Sequence, residues 1–222
     1  MFNVCPGCGE YSDVKAIEPW VVPTPVQAFA VCQSCGSKHR FRRLPLLVVT
    51  GASGTGKSTV ALQLAPMMEE CVCMESDILW RDEFNKPDDD YLDYRNLWLR
   101  IAKNINQAGR PVVLFGSSTP GQFERCNEYR YFSDSVYLAL VCNEDELIRR
   151  LQARPQWRKS GSDEVLERMT KFNRWLQENA ETSTPKMTLL DTTILSEEDS
   201  MGAVRSWILD QLKHAGMRAK RP

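Results

Sequence analysis

The chain has 222 residues, 42% of them hydrophobic, with 28 Lys and Arg against 29 Asp and Glu and a net charge of −1. That is length enough for one well-buried α/β domain and a small appendage, and the near-neutral balance gives no global reason to bind nucleic acid or a membrane. No apolar run approaches the roughly 20 residues that a spanning helix needs. The start, Met1-Phe2-Asn3-Val4-Cys5, has neither the basic nor the apolar stretch of a secretory signal. The eight cysteines are not spread as a disulfide framework, so the expected compartment is the reducing cytoplasm.

Taken in order, residues 1–43 carry two C-x-x-C-G knuckles, Cys5-Pro6-Gly7-Cys8-Gly9 and Cys32-Gln33-Ser34-Cys35-Gly36. Each tight turn brings two thiolates to one side, and two such pairs close a tetrahedral site for structural Zn²⁺ with Cys5, Cys8, Cys32 and Cys35 as ligands. Between them, Val21-Val22 and 28–31 read as short strands joined by a loop containing Pro19, Pro23 and Pro25. The segment resembles a zinc ribbon, with metal supplying much of its folding energy. The basic run 38–43 reads as a solvated strand in which His39 is structural; contact with nucleic acid is the less favoured reading.

Residues 44–213 form the second expected unit, followed by a basic, frayed tail at 214–222. Leu46-Leu47-Val48-Val49-Thr50 is an apolar, β-branched run of the kind buried in a parallel sheet. Gly51-Ala52-Ser53-Gly54-Thr55-Gly56-Lys57-Ser58-Thr59 follows it and fits G-x-x-x-x-G-K-[ST] at every fixed position. A helix-forming run comes next. Strand, glycine loop and helix together specify a phosphate-binding loop: curled backbone N–H groups and a helix N-terminus face one anion. Gly51, Ser53, Gly54, Thr55, Gly56, Lys57, Ser58 and Thr59 are thus the candidate ATP-binding residues. Lys57 would reach the β- and γ-phosphates, and the Ser58 hydroxyl would hold Mg²⁺.

Further strands are expected at 71–75, 111–116, 135–142 and 187–191, alternating with helices. The second ends in Glu75-Ser76-Asp77. Ligands in open α/β sheets sit beyond the carboxyl ends of the strands, so both carboxylates are expected to face the nucleotide phosphates, with Asp77 the candidate general base or water-mediated Mg²⁺ partner and Glu75 a weaker candidate. Trp80, Arg81 and Tyr94 are candidates for an acceptor pocket. The third strand ends in Gly116-Ser117-Ser118 with no acid, which argues against a motor-type or AAA-type ATPase. Asn143 and Ser196 read as N-caps. Arg149, Arg150, Arg154 and Arg158 suggest a lid whose guanidinium groups neutralise a transferring phosphoryl group.

In layout the chain resembles the small P-loop kinases, meaning nucleoside monophosphate kinases and their shikimate-, gluconate- and chloramphenicol-phosphorylating relatives. The resemblance rests on Gly51 to Thr59, on Asp77, on Arg150-Leu151-Gln152-Ala153-Arg154, and on Leu190 to Ser196. It implies a three-layer α/β fold with five parallel strands in the order 2-3-1-4-5. It also implies Mg-ATP as donor, Asp77 as base, and Lys57, Arg150 and Arg154 as catalytic cations. Gly116-Ser117-Ser118-Thr119 stands where monophosphate kinases place G-[FYI]-P-R, which tilts the acceptor from a phosphate to a hydroxyl. The leading expectation is a small-molecule kinase whose acceptor is a nucleoside or a sugar-like compound. The alternative is a regulatory or nucleic-acid-associated nucleotide-binding protein with slow ATPase activity, and a polynucleotide 5′-hydroxyl kinase lies between the two.

Overall fold

The computed structural model describes residues 3–20 and 27–217. The expected strand at Val21-Val22, with Pro23 and Pro25, lies outside the described residues, as does the end of the basic tail, 218–222. Two sheets organise the chain. The smaller is antiparallel, in the order β1 (Ala16–Pro19), β2 (Gln27–Val31) and β3 (Lys38–Arg42). The sequence pattern foresaw β2 and β3 but not β1, whose four residues are too few to show an alternation.

The larger sheet is built from β4 (Leu46–Gly51), β5 (Val72–Glu75), β6 (Val112–Phe115), β7 (Ser135–Val141) and β8 (Met187–Asp191). All neighbours are parallel, in the order β5-β6-β4-β7-β8. Counted from the strand before the glycine loop, that is second, third, first, fourth, fifth. Crossovers are made by α1 (Lys57–Leu64), α2 (Leu92–Asn106), α3 (Glu144–Gln152) and α4 (Asp163–Asn179), and α5 (Glu197–His214) closes the fold.

Every residue of β4 is buried, because both faces of the sheet are covered. Leu46 and Val48 pack with Trp98, Leu99 and Leu176 on the side of α2 and α4. Leu47 and Val49 pack with Val60, Leu64, Val204 and Ile208 on the side of α1 and α5. The period-2 alternation of a strand is still there, but it divides two apolar faces, so the sequence shows an unbroken run. Each such side chain contributes about 1.5–3 kcal/mol on burial. Two helix starts are capped as expected: Asn143 accepts from the Glu146 N–H at 2.8 Å, and Ser196 from the Asp199 N–H at 3.0 Å.

The small sheet docks on α2 and on the turn that precedes β7. Ala28, Ala30 and Phe41 form a minor cluster completed by Tyr131. The Tyr131 hydroxyl donates to the Asp13 carbonyl and accepts from the Lys15 N–H, both at 3.2 Å. Beside it, Lys103 and Glu128 form an ion pair at 2.5 Å in which each side chain is 1% exposed. Lys103 also reaches Asn3 at 3.3 Å, while Arg100 pairs with both Glu128 and Asp13. Gln107 brackets the backbone of Arg42, accepting from its N–H and donating to its carbonyl.

Candidate functional site

At the carboxyl end of β4 the chain must turn within five residues into α1. Gly51 makes this possible, since a Cβ there would lie 2.5 Å from the Leu140 carbonyl oxygen. Gly56, at φ 97°, caps α1 in the left-handed region with no side-chain acceptor. The first-turn N–H groups of α1 are therefore left to face an anion. Ser53, Gly54, Gly56, Lys57, Ser58 and Thr59 line one cavity of about 110 Å³, joined by Glu75, Asp77 and Arg154. Thr55 turns away, its hydroxyl donating to the Ala52 carbonyl at 2.9 Å. The Gly51 carbonyl accepts from Lys57 Nζ at 2.7 Å and from the Ser117 hydroxyl at 2.9 Å. Desolvation draws the Lys57 ammonium down to about 8, against the opposing pull of Asp77 and Glu75. Phosphate oxygens around such a lysine favour its charged form and draw it back up.

Ser58, the expected Mg²⁺ ligand, donates its hydroxyl to the Glu75 carboxylate. A hydroxyl and a carboxylate facing one another over a phosphate cavity are the hard oxygen donors that Mg²⁺ takes. The chain thus offers an acid from the end of β5, where the sequence reading looked for one at the end of β6 and found Gly116. A side chain at Gly116 would collide with Ser76, its Cβ falling 2.2 Å from the Ser76 hydroxyl.

Two larger cavities open from the first. One, of about 500 Å³, lies between α3 and the loop after β8, with Arg150, Arg154, Thr192 and Ile194 on its walls. Arg150 is held there: it donates to Glu146 at 2.7 Å, to the Thr192 carbonyl at 2.7 Å and to the Thr192 hydroxyl at 3.1 Å. Arg149 and Arg150 together draw the Glu146 carboxyl down to about 2. Of the expected lid arginines, Arg154 alone among the described side chains lines both the phosphate cavity and this one. The side chain of Arg158 lies outside the described residues.

The other cavity, of about 460 Å³, has Asp77, Trp80, Tyr94, Arg95 and Trp98 among its walls. Asp77 lines this cavity and the phosphate cavity alike. Its backbone is fixed from α2, where the Tyr94 hydroxyl and the Trp98 indole N–H, the latter at 3.0 Å, both donate to the Ser76 carbonyl. Arg81, expected in this pocket, stands outside it, exposed and 3.6 Å from Glu83. Arg95 and Trp98 were missed as pocket residues. Trp98 reads as core because it falls on the apolar stripe of α2, and Arg95 lies in the basic and aromatic stretch 80–96 with nothing in the sequence to single it out from its neighbours.

This architecture has known counterparts. A model of the AAA domain matches residues 47–171, more than half of the chain. The chain belongs to the AAA domain family. The missing acid at the end of the third strand does not set it apart, contrary to the expectation from sequence; the acid beside Ser58 comes from β5. Among solved structures, a sugar kinase from Janibacter superposes with a TM-score of 0.57 at 16% identity, over 74% of this chain and 94% of that one. A gluconokinase from Sinorhizobium meliloti gives 0.52 at 18%, over 78% and 98%. A shikimate kinase from Acinetobacter baumannii, solved with shikimate, gives 0.51 at 14%, over 76% and 94%. The chain has the fold of the P-loop small-molecule kinases. No curated protein matches it. Among the described residues, no helix is long and apolar enough to cross a membrane.

The four knuckle cysteines converge, with the Sγ atoms of Cys5, Cys8, Cys32 and Cys35 all within 4.8 Å of one another. Cys5 and Cys35 lie 3.6 Å apart, and Cys8 and Cys32 3.8 Å. Tetrahedral Zn²⁺ with bonds of about 2.3 Å needs sulfur edges of about 3.8 Å, so the set fits that ion. Backbone N–H groups, that of Cys8 foremost, lower the Cys5 thiol to about 6, and those of the second knuckle lower Cys32. Both shifts favour the thiolate form that a metal takes, whereas Cys8, despite a backbone N–H that lowers it, is pushed up to about 12 by the neighbouring Cys35 and by burial. His39 stays outside the cluster. In the basic run, Lys38 pairs with Glu18 at 2.5 Å and Arg40 lies over the Trp20 ring at 4.8 Å.

Proposed function

We propose that the chain is an ATP-dependent phosphotransferase that moves the γ-phosphate of ATP to a hydroxyl of a small molecule. The observation that carries this reading is Asp77, a carboxylate on the wall shared by the phosphate cavity and the aromatic-lined cavity beside it. A hydroxyl bound in the second cavity meets Asp77 before it meets the terminal phosphate. In the reaction the acceptor oxygen forms a bond to the γ-phosphorus, the β–γ bridging P–O bond breaks, Asp77 takes the hydroxyl proton, and ADP leaves with the bridging oxygen.

Lys57 and the α1 N-terminus bind the β- and γ-phosphates. Ser58 and Glu75 hold Mg²⁺, which when bound screens the phosphate charge. Arg154 neutralises the equatorial oxygens in the transition state. Arg150 acts one step back, ordering the 192–196 loop around the nucleobase and tying it to the Gly54 carbonyl at 3.5 Å. Cys5, Cys8, Cys32 and Cys35 hold a structural Zn²⁺. The fold likeness to sugar, gluconate and shikimate kinases supports a small hydroxyl-bearing acceptor.

The test is transfer from γ-labelled ATP into pooled nucleosides, nucleotides, sugars and oligonucleotides. Asp77→Asn is expected to lose about 10²–10⁴-fold in rate while ATP affinity stays within about twofold. ATP binding with no acceptor labelled would remove the kinase reading in favour of a regulatory one. Label in oligonucleotides alone would move the acceptor to nucleic acid.

A further inference from the structure

The aromatic-lined cavity carries more chemistry than a hydroxyl acceptor alone demands. Trp80 stands edge-on to both Tyr91, at 5.8 Å between centroids, and Tyr94, at 5.3 Å. With Trp98 and Phe123 they give the cavity flat, π-rich walls. Aromatic faces and edges of this kind favour a planar ring over an aliphatic one.

Two polar side chains of the same cavity are more than nine-tenths buried and incompletely satisfied. Arg95 is 8% exposed, and its Nη1 lies 3.2 Å from an Asp90 carboxylate oxygen without hydrogen-bond alignment to it. Ser118 is 5% exposed, and its hydroxyl has no hydrogen-bond partner. Buried polar groups are nearly always paired, and exceptions mark places where something else supplies the partner. Asp90 faces Arg95 at 3.2 Å as an ion pair, but the same carboxylate also pairs with Arg125 and accepts from Gln122 at 2.9 Å. One carboxylate is therefore shared by two guanidinium groups. Arg168 of α4, exposed, adds a further positive charge to the cavity wall. Among the described residues, Asp77, at the phosphate end, is the one acid lining the cavity.

The backbone here is held in an unusual conformation. Asp90 and Tyr91 are both left-handed at φ 56°, a region that a bulky residue such as tyrosine seldom enters and that clusters at ligand sites. The contacts of Asp90 with Arg95, Arg125 and Gln122 hold this bend, which turns the Tyr91 ring toward Trp80 and under the Arg95 guanidinium, 5.6 Å from the ring centroid. The bend therefore serves to bring an aromatic wall and a buried cation into one cavity.

We infer that the acceptor is a planar ring compound carrying an anionic group as well as the hydroxyl, with the ring between the aromatic walls and the anion at Arg95, Ser118 and Arg168. This rests on the kinase reading for the role of the hydroxyl, but ring and anion recognition can be tested without turnover. Carboxylate and phosphate share the chemistry that a guanidinium recognises, so both sources belong in the test.

The experiment is saturation-transfer NMR on the full-length protein, with the nucleotide cavities filled by Mg²⁺ and a non-hydrolysable ATP analogue. The probes are para-hydroxymethylbenzoate, its neutral amide, its saturated cyclohexane counterpart, and a panel of nucleoside monophosphates. An anionic aromatic probe is expected to bind at least about tenfold more tightly than its neutral or saturated match, about 1.4 kcal/mol. Arg95→Gln should abolish the preference for the anion. Arg168→Gln, at an exposed site that folding does not depend on, should reduce it severalfold. Tighter benzoate binding identifies the anion as a carboxylate, and tighter monophosphate binding identifies it as a phosphate. Equal binding of acid and amide, equal binding of aromatic and saturated rings, or no anionic probe bound at all would overturn the inference. Because no phosphate moves in this assay, anion binding with no transfer in the labelled-ATP assay would sink the kinase reading alone.

Discussion

The two sheets are held together by opposite means. The five-stranded sheet is sandwiched between apolar faces, and its central strand is buried along its whole length. The three-stranded sheet has one thin apolar face, Ala28, Ala30 and Phe41, which is closed by a tyrosine from the other sheet's connecting turn. What the small sheet lacks in core it makes up with four converging thiols and with a polar joint in which Lys103, held by Glu128, reaches Asn3 while Arg100 reaches Asp13. Apolar burial is diffuse and survives the loss of any one atom group. A metal cluster and a buried ion pair are concentrated, and each fails at a single residue. The candidate site sits on the diffusely held sheet, where rigidity fixes Asp77. Helix α2 serves both regions, presenting Tyr94, Arg95 and Trp98 to the cavity and Arg100 and Lys103 to Asp13 and Asn3 of the N-terminal unit, while Gln107, just past its end, holds Arg42 of β3.

The largest expected effect follows from removing the proposed zinc. Structural Zn²⁺ in small modules contributes roughly 10–16 kcal/mol, far more than three buried apolar residues supply. A strong chelator, or Cys5→Ser, should abolish amide-exchange protection across β1, β2 and β3 while β4 and β7 keep theirs. Equal protection with and without chelator would mean that the apolar contacts alone hold the ribbon. Metal analysis well below one equivalent of zinc per chain would reach the same end.

A smaller loss is expected at the joint. Lys103→Met leaves the Glu128 carboxylate buried without its main counter-charge and should cost about 3–5 kcal/mol in urea denaturation. The paired change Lys103→Met with Glu128→Leu removes both charges and should recover most of that loss. If the double variant is no more stable than the single, the joint is a packing feature, and the contrast between polar and apolar cohesion fails there.

How much of this could be read beforehand follows from the same contrast. The apolar strands and the glycine loop were legible because local rules decide them: a β-branched run, a glycine where a side chain collides, a cap three residues before its N–H. The knuckles were legible because metal chemistry fixes their spacing. The relations made by tertiary packing were not. Two acids at the end of the second strand were expected at the phosphates, but nothing in the sequence says that Glu75 rather than Asp77 is the one beside Ser58, that Arg95 is buried, or that Arg81, fourteen residues earlier, stands outside the pocket. Lys103 and Glu128 carry no mark in the sequence that separates them from surface charges. A buried ion pair is invisible in a pattern that sorts residues by polarity, since its members look solvated until two elements are brought together. The joint that docks the ribbon was therefore the least legible part of the molecule.

The smallest effect concerns the phosphate cavity. Desolvation holds Lys57 at about 8 in the nucleotide-free protein, so at neutral pH the ammonium is mostly charged. Phosphate oxygens favour the charged form and raise the pKa on binding. As pH rises past 8 the free protein loses a proton that the complex retains, and nucleotide affinity should fall by up to about tenfold per unit, about 1.4 kcal/mol. Stability of the nucleotide-free protein runs the other way. The unfolded lysine, near the ordinary lysine value of 10.5, binds more protons than the folded one, so this residue's contribution to stability rises with pH between about 8 and 10.5. Calorimetric titration of a non-hydrolysable ATP analogue across that range measures the first trend, and urea denaturation without nucleotide measures the second. Lys57→Arg keeps its charge throughout and should flatten both. A wild-type affinity that stays level from neutral pH to beyond 9 would mean that Lys57 is solvated rather than drawn into the loop, and that its bonds to the Gly51 and Ala52 carbonyls do not persist in solution.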